Sequence, residues 1–183
     1  AIVDYARKIQ EGTVVTTMTR NGKDFGVRIA GMGDEWFTAP VNKPRGLYFT
    51  GYSEEDGNPD IGDSAITETV GVGAIVTVAA PAVTRFVGSG GGYDDALAIT
   101  DRQNEIFISN NPNWSIPNWN FKGAPCGIDA RKVVATGIVP LINTGIAHRI
   151  AGLGQVGAGT AEAPLACFEK AIIAYAKKLG IEA

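Results

Sequence analysis

The chain has 183 residues, of which 45% are hydrophobic and 19% are charged, and its formal net charge is −3 at pH 7. This length suits one domain with a substantial core, or two small domains, and the composition excludes intrinsic disorder. The acidic balance and the pI of about 5.2 give no electrostatic footprint for nucleic acid. An anionic substrate would therefore have to be captured by individual arginines and not by the overall field.

The cysteine and histidine content limits the metal chemistry. Cys126 and Cys167 stand far apart and His148 is the single histidine, which leaves too few ligands for the common zinc patterns. We expect no metal, no cofactor and reduced cysteines in a cytoplasmic protein, with a disulfide as the alternative. The apolar runs fall short of the roughly 20 residues that a membrane span needs. Because the first residue is Ala1 and not Met, we expect a piece of a longer polypeptide.

The first third of the chain predicts mainly strands. Apolar spacing predicts a helix over Ile2–Gln10. Three β-branched or aromatic segments, bounded by Gly, Asn or Pro, predict the strands Val14–Met18, Phe25–Ala30 and Leu47–Thr50. Asn21-Gly22 between the first two predicts a hairpin, and an acidic loop follows over Tyr52–Asp63.

The middle of the chain predicts helices. Ser64 or Asp63 is expected to cap a helix over Ala65–Val83 that is buried on most sides. The cluster Gly88–Gly92 interrupts the chain, and a second helix is predicted from Asp94 or Asp95 to about Ser109. A loop of Asn, Pro and Trp is expected over Asn110–Pro125.

The last third predicts two strands and a helix, and the whole gives an α+β fold. Ile128–Val134 and Ile138–Ile142 have the composition of buried strands, and Pro164 begins an amphipathic helix that runs through Leu179. Strands and helices are mixed without βαβ alternation, so the fold class is α+β, or an irregular mixed α/β. A subdivision is possible into strand-rich residues 1–63, helical residues 64–125, and α/β residues 126–183 with a glycine loop.

The candidate site residues are densest between Gly127 and Gly159. This segment contains Asp129, Arg131, Asn143, Thr144, His148 and a glycine loop ending in Gly154, Gln155, Gly157 and Gly159. Polar groups at the ends of buried strands, followed by a glycine loop, are typical of a small-molecule site. The loop matches G-x-G-x-x-G but lacks the following helix and second strand of a dinucleotide site. The glycine loop predicts either an anion-binding site formed by backbone N–H groups or a tight turn between two elements.

Four further groups each have a functional and a structural interpretation. Arg20, next to Asn21, either binds a carboxylate or phosphate through its guanidinium group or is a solvated charge of the hairpin turn. Asp60 and Asp63 cap a helix, orient an arginine or hold a cation. Glu68 lies in an apparently buried run, so it requires a functional or a structural partner.

His148 has the same two interpretations, a general acid or base and a hydrogen-bonded structural histidine. Its position after Asn143-Thr144-Gly145, at the end of an apparent buried strand, favours the functional interpretation. Nothing local supports a nucleophile pair between His148 and Cys126.

Five ordered segments carry a resemblance to a known family: residues 17–28 (T-M-T-R-N-G-K-D-F-G-V-R), 36–40 (W-F-T-A-P), 58–69 (N-P-D-I-G-D-S-A-I-T-E-T), 127–148 (G-I-D-A-R-K-V-V through I-N-T-G-I-A-H) and 154–159 (G-Q-V-G-A-G). The chain resembles bacterial proteins, formerly of unknown function, that are associated with catabolic oxamate carbamoyltransferase (oxamic transcarbamylase) and with purine and allantoin degradation. Family members are longer at the N-terminus, which implies that residues 1–183 are the C-terminal portion of a larger protein.

The resemblance implies a subunit of an enzyme that exchanges a carbamoyl group between oxalurate and phosphate, giving oxamate and carbamoyl phosphate. It implies small anionic substrates, other subunits and a homo-oligomer as partners, with no nucleic acid and no membrane. The sequence lacks the S-T-R-T-R signature of ordinary carbamoyltransferases, so the chemistry would use another scaffold. Ala151 replaces a usual proline, and Gly88–Gly92 is unusually rich in glycine.

The chemistry of the residues suggests a role for each candidate. Arg20 and Arg131 would bind the carboxylate and the phosphate, and the backbone around Gly154–Gly159 would cradle phosphate. His148 would polarise the carbamoyl oxygen or move a proton, with Asn143 and Asp129 orienting it, and Glu68 is the candidate base. The alternatives are a non-catalytic scaffold or regulatory subunit, and an amide-processing hydrolase that uses water.

Overall fold

The computed structural model describes residues 2–88 and 91–181, and it confirms the α+β fold class. Its helices are α1 (Ile2–Lys8), α2 (Ile66–Thr69), α3 (Pro81–Phe86), α4 (Tyr93–Asn104), α5 (Ala130–Thr136) and α6 (Leu165–Lys178). Its strands are β1 (Val15–Arg20), β2 (Asp24–Ile29), β3 (Phe37–Pro40), β4 (Arg45–Tyr48), β5 (Phe107–Ile116), β6 (Lys122–Ile128), β7 (Leu141–Ala147) and β8 (Gln155–Glu162).

The first sheet is antiparallel and has the order β1-β2-β3. The predicted hairpin is confirmed: Arg20 pairs with Phe25 across β1 and β2, and Asn21 N–H donates to the Asp24 carbonyl at 3.1 Å. Gly22 has φ of +93°, which only glycine adopts without strain and which the tight turn requires. Strand β3 was not predicted, although its W-F-T-A-P sequence belongs to the family resemblance.

The second sheet is also antiparallel, and β8 lies at its centre between β4 and β7. The predicted glycine loop is therefore wrong over Gln155–Glu162, which is a strand. The glycines allow close strand approach: a Cβ on Gly159 would lie 2.4 Å from the Arg45 carbonyl oxygen, and one on Gly157 would lie 2.5 Å from that of Leu47. Glycine lowers strand propensity in general, but here it permits tight pairing.

A two-stranded ribbon, β5 and β6, replaces the predicted loop over Asn110–Pro125. Helix α4 ends at Asn104, before the predicted end at about Ser109. The side chain of Asn110 in β5 donates to the Asn104 side chain at the end of α4 and to the Gly123 carbonyl of β6. These hydrogen bonds hold the ribbon to the end of the helix and link its two strands. Most of β5 faces solvent, so its sequence shows none of the alternation that predicts a half-buried strand.

The predicted central helix is helical but broken into three pieces. Helix α2 is followed by a 3-10 segment over Gly73–Ala79 and then by α3. Gly71 and Gly73 have positive φ, and Pro81 starts α3, so a continuous helix cannot form. The predicted cap by Asp63 or Ser64 is also wrong. Ala65 occupies the N-cap position without a side-chain hydrogen bond, and Ser64 bridges to Thr19 of β1.

The predicted strand Ile128–Val134 is wrong for a local reason. The Asp129 side chain accepts from Arg131 N–H at 2.9 Å and caps α5, which ends at Gly137 with φ of +70°. In this short helix Val133 lies in the hydrophobic core, and Val134 is partly buried against it. Strand β7 begins only at Leu141, so the predicted strand Ile138–Ile142 overlaps its start. The C-terminal helix is confirmed as α6.

One hydrophobic core joins the first sheet, the broken central segment, the ribbon and the last two helices. Helix α6 packs against β2, β3 and α5. The largest fully buried side chains are Phe25, Phe168, Met18, Ile29, Ile75, Ile106, Ile128, Ile142 and Ile146. Among the described residues, no helix is both long and apolar enough to cross a membrane.

Candidate functional site

A buried ion pair joins Arg20 of the first sheet to Asp60 in the loop before α2. Arg20 ends β1, and its Nη1 donates to Asp60 Oδ1 at 2.9 Å, with the two side chains 3% and 2% exposed. Asp60 Oδ2 accepts from the N–H groups of Gly22 and Gly62, so each carboxylate oxygen has partners. This satisfies the requirement that a buried charge be paired and hydrogen-bonded. Of the three interpretations of Asp60, the arginine-orienting one is confirmed.

The same arginine reaches the second sheet through Thr144. Arg20 Nη1 donates to Thr144 Oγ1 of β7 at 3.2 Å, and Arg20 Nε donates to the Asp63 carbonyl at 3.3 Å. The segment around Asp60 and Asp63 thus lies between β1 and β7. Arg20, Asp60, Glu68 and Thr144 form what we call the junction cluster.

Glu68, the second carboxylate of the junction cluster, lies at the edge of β7 that no other strand pairs with among the described residues, and it accepts a backbone hydrogen bond there. It is 4% exposed, and its Oε1 accepts from Ala74 N–H at 3.2 Å and from Asn143 N–H at 3.3 Å. Burial raises the pKa of Glu68 above its ordinary value, although the hydrogen bonds and the nearby Arg20 guanidinium oppose the shift. A carboxyl whose pKa is raised keeps its proton to a higher pH than an ordinary glutamate does.

Asn143 is among the residues that line a cavity of about 430 Å³. Its Oδ1 is buried and has no hydrogen-bond partner among the described residues. Buried amide oxygens are normally paired, so an orphaned one calls for a partner that the chain does not supply. The sequence marked Asn143 as a candidate, but it gave no sign of this cavity.

Asp129 and Arg131 form a second, separate pair at the start of α5. Arg131 Nη2 donates to Asp129 Oδ2 at 2.9 Å, and Thr13 Oγ1 donates to Asp129 Oδ1 at 2.7 Å. Burial raises the pKa of Asp129, but the hydrogen bonds from Arg131 and Thr13 outweigh it and the net shift is downward. The side chain of Arg131 is 71% exposed beside a cavity of about 580 Å³. Within residues 2–88 and 91–181, no hydrogen bond joins this pair to the junction cluster.

His148 lies in a third place, at the turn after β7. Its Nδ1 accepts from Ile150 N–H at 2.9 Å, which requires Nδ1 to be unprotonated, and its Nε2 lies 3.9 Å from Asp56 Oδ1. The Tyr52 ring packs edge-on against the imidazole at 5.9 Å. These contacts give His148 a structural position, holding the turn onto the acidic loop. Asn143 and Asp129 were expected to orient His148, but among the described residues its imidazole contacts Ile150, Asp56 and Tyr52 instead.

The remaining candidates have backbone or turn positions. Asn21 Oδ1 accepts from Lys23 N–H and Asp24 N–H, which closes the hairpin turn. The Gly154 carbonyl accepts from His148 N–H, and Gln155 Nε2 donates to the Gly157 carbonyl. Gly157 and Gly159 lie in the central strand between two paired neighbours, so a loop that cradles phosphate is not formed there.

The described part of the chain contains no cluster of three or more His, Cys, Asp or Glu residues that could hold a metal ion. Cys126 and Cys167 are both free. Burial raises the pKa of the Cys167 thiol to about 11, so this thiol is unreactive near neutral pH. Cys126 lies in β6 opposite Ser109, in a different element from His148.

Comparisons with known proteins relate this chain to subunits of oxamate carbamoyltransferase. Residues 1–64 match the family described as oxamate carbamoyltransferase subunit AllG. The resemblance predicted from the five sequence segments is thereby confirmed, and it extends over nearly the whole chain in individual relatives.

The oxamate carbamoyltransferase subunit AllG of Escherichia coli (strain K12) is 57% identical over 181 residues, which are 99% of this chain and 43% of that protein. The uncharacterized protein YahG of the same organism is 46% identical over 181 residues, 99% of this chain and 38% of that protein. The chain therefore spans less than half the length of these relatives. A crystal structure of a conserved protein of unknown function from Enterococcus faecalis V583 has the same fold, with a TM-score of 0.85 and 46% identity over 90% of this chain and 39% of that one.

Proposed function

We propose that this chain is part of a subunit of an oxamate carbamoyltransferase. The reaction moves a carbamoyl group from oxalurate to phosphate. The bond between the carbamoyl carbon and the oxamate nitrogen breaks, a bond between that carbon and a phosphate oxygen forms, and the oxamate nitrogen takes up a proton as it leaves. The observation that carries the proposal is the 57% identity to a protein named as such a subunit. The proposal includes oxalurate, oxamate and carbamoyl phosphate as ligands, other subunits and a homo-oligomer as partners, and a cytoplasmic role in purine and allantoin degradation.

The junction cluster supports a catalytic contribution from Glu68. Departure of oxamate requires a proton at the leaving nitrogen, and a carboxyl with a raised pKa can supply or remove one. Thr144 and Asn143 are consecutive residues of β7: Thr144 Oγ1 accepts from Arg20, and Asn143 N–H donates to Glu68. In this proposal Arg20 is a positioning residue, because its guanidinium is already bound to Asp60.

A second candidate function, a scaffold or regulatory subunit, is favoured by a specific observation. The two arginines expected to bind anions do not converge: Arg20 is paired with Asp60 and Arg131 with Asp129. Exposed apolar side chains also occur on the edge strand β4 and just beyond it, where Leu47 is 54% and Phe49 is 44% exposed. In this form of the proposal, the anion-binding groups come from other parts of the assembly.

The test uses the full-length protein, alone and with its partner subunits, incubated with oxalurate and phosphate. Carbamoyl phosphate formed by the protein alone supports a catalytic chain, and product formed only with partners supports the scaffold. Release of ammonia and bicarbonate without any need for phosphate would point instead to a hydrolase. No turnover in any combination overturns the carbamoyltransferase proposal.

Variants separate the catalytic role from the scaffold role. Glu68→Gln is expected to lower kcat by roughly 100-fold in the complete assembly, within the range for loss of a general acid or base. The matched control is Glu35→Gln, since Glu35 is exposed on the surface before β3. Unchanged kcat in Glu68→Gln would rule out proton transfer by this residue. Substitution of Arg131 and His148 by alanine tests their candidate roles in the same assay.

A further inference from the structure

We infer that the outer edge of β4 is the interface through which two copies of this protein form a dimer. The inference rests on the homo-oligomer of the proposed function, and it names the surface that forms it. In this dimer the two β4 strands pair antiparallel about a two-fold axis at Leu47, so that the second sheet of one copy continues into that of the other.

The first argument is the free backbone of β4. Among the described residues this strand pairs with β8 alone. The Phe49 N–H donates to the Val156 carbonyl at 2.8 Å, so Phe49 and Leu47 direct their backbone groups toward β8. In an antiparallel ladder the backbone groups of Gly46 and Tyr48 then face outward, where an added strand can pair with them.

The second argument is the exposure of the side chains along this edge. Leu47 is 54% and Phe49 is 44% exposed, although Gly88 lies next to Leu47. Arg45 is also exposed, and within residues 2–88 and 91–181 neither Arg45 nor Phe49 has an ion pair or a ring contact. Large apolar side chains exposed beside one another are typical of a protein–protein interface.

The third argument is that this edge is complementary to itself. With the axis at Leu47, the two Leu47 side chains meet, and Arg45 of each copy lies opposite Phe49 of the other. A guanidinium group is attracted to the face of an aromatic ring, so each of these exposed groups gains a partner. Gly46 and Tyr48 exchange backbone hydrogen bonds on both sides of the axis, and Gly46 adds no side chain that would keep the strands apart.

The charges around β4 favour the same arrangement. Arg45 begins the strand, and the acidic segment Glu54–Asp56 follows it. Arg45 and Glu54 line one cavity of about 810 Å³ without forming an ion pair among the described residues. Antiparallel pairing brings the basic start of each strand toward the acidic segment of the other copy, and this complementarity selects a second copy as the partner.

Sedimentation equilibrium of the full-length protein, without its partner subunits, measures the dimer directly. We expect a dimer at micromolar concentration. Leu47→Lys places two ammonium groups against each other on the axis and is expected to weaken the dimer at least about tenfold. The matched control is Leu179→Lys, because Leu179 is 55% exposed just after α6, and this substitution should leave association unchanged.

Leu47→Cys tests the position of the axis. Facing residues of a non-hydrogen-bonded antiparallel pair have Cα atoms about 4.5 Å apart, within the range of roughly 4.4–6.8 Å that a disulfide requires. Under mild oxidation Leu47→Cys should form a covalent dimer on a non-reducing gel. The unsubstituted protein, which carries Cys126 and Cys167, and Leu179→Cys should form much less of it.

Three results would overturn the inference: a monomer in sedimentation, a dimer that survives Leu47→Lys, and crosslinking of Leu47→Cys no faster than that of Leu179→Cys. Crosslinking to a partner subunit in place of a second copy would also overturn it. Because no turnover is measured, these results are separate from the carbamoyl phosphate assay. A monomeric protein that forms carbamoyl phosphate would reject the dimer and retain the proposed reaction.

Discussion

Arg20 and Asp60 are joined by an Nη1–Oδ1 hydrogen bond of 2.9 Å, and each side chain is at least 97% buried. The pair links the end of the first hairpin to the loop that leads into α2, and Thr144 connects it to the second sheet. Its position makes it a buried polar contact that joins the first sheet, the loop before α2 and, through Thr144, the second sheet.

Removing one member of this pair is expected to destabilise the protein strongly. Asp60→Ala leaves the Arg20 charge buried without a counterion and removes the acceptor of Gly22 and Gly62, so the free energy of unfolding should fall by about 3–5 kcal/mol. Chemical denaturation followed by circular dichroism measures the change. The control is Asp34→Ala, which removes an exposed carboxylate paired with Arg28 and Arg7 and should cost less than about 1 kcal/mol. Equal losses in the two variants would contradict the structural importance of the buried pair.

Glu68 predicts a specific pH dependence of stability. Its pKa in the folded state is raised above the ordinary value of 4.5, so the folded protein holds this proton more tightly than the unfolded chain. The stabilisation is fully present below about pH 4.5 and is lost as the pH rises through the higher folded-state pKa. Relative to Glu68→Gln, the wild-type protein should therefore be most stable at acidic pH and should lose that advantage as the pH rises.

The measurement is the free energy of unfolding of both proteins across this range. Taking the difference cancels the carboxyls with lowered pKa values, Asp4, Asp56 and Asp129, which act in the opposite sense. A difference that grows with rising pH would show that the pKa of Glu68 is lowered in the folded protein.

Gly159 is expected to tolerate no side chain. In Gly159→Ala the new Cβ would lie 2.4 Å from the Arg45 carbonyl, so β4 and β8 must move apart at a cost of about 1–3 kcal/mol. Gly145→Ala in the adjacent strand is the control, because its Cβ would meet only the Gln155 side chain at 3.4 Å. Thermal unfolding compares the two, and a Gly159→Ala protein as stable as the Gly145→Ala protein would contradict the tight pairing.

His148→Ala is expected to release the turn that follows β7. Loss of the acceptor for Ile150 N–H should cost about 1 kcal/mol and speed hydrogen exchange at Ile150. Arg149→Ala is the control, since the backbone N–H of Arg149, which donates to the Asp56 carbonyl, is retained. A His148→Ala protein with unchanged exchange at Ile150 but a large loss of turnover would instead support the catalytic interpretation.

The elements that the sequence predicted well are those specified locally. Asn21-Gly22 defines the hairpin through its own turn conformation, and the apolar spacing after Pro164 defines α6. The failures arise where a distant partner decides the structure. Gly157 and Gly159 are poor strand residues alone, and they become strand because β4 and β7 pair closely on either side. The V-V of α5 has strand composition, but the Asp129 cap and Gly137 enclose it in a helix.

The candidate site shows the same division. Glu68 was recognised because a buried carboxylate requires a partner, whereas Arg20, Asn143 and Thr144 were recognised as polar residues at a turn and at a strand end. Their grouping was not predictable, because Arg20 and Thr144 are 124 positions apart and no periodicity links them. The cavity at Asn143 depends on residues of three elements, and no single segment indicates it.

The way in which Glu68 covers β7 also restricts how this protein can associate with others. A strand at the edge of a sheet has unpaired backbone N–H and C=O groups that can pair with a strand of another molecule, which leads to aggregation or unintended dimers. Here the Asn143 N–H is held by Glu68, and the Ala147 carbonyl is held by the N–H of Asn58. Continuous β-augmentation along this border is therefore blocked, and any partner that extends this sheet must join it at β4.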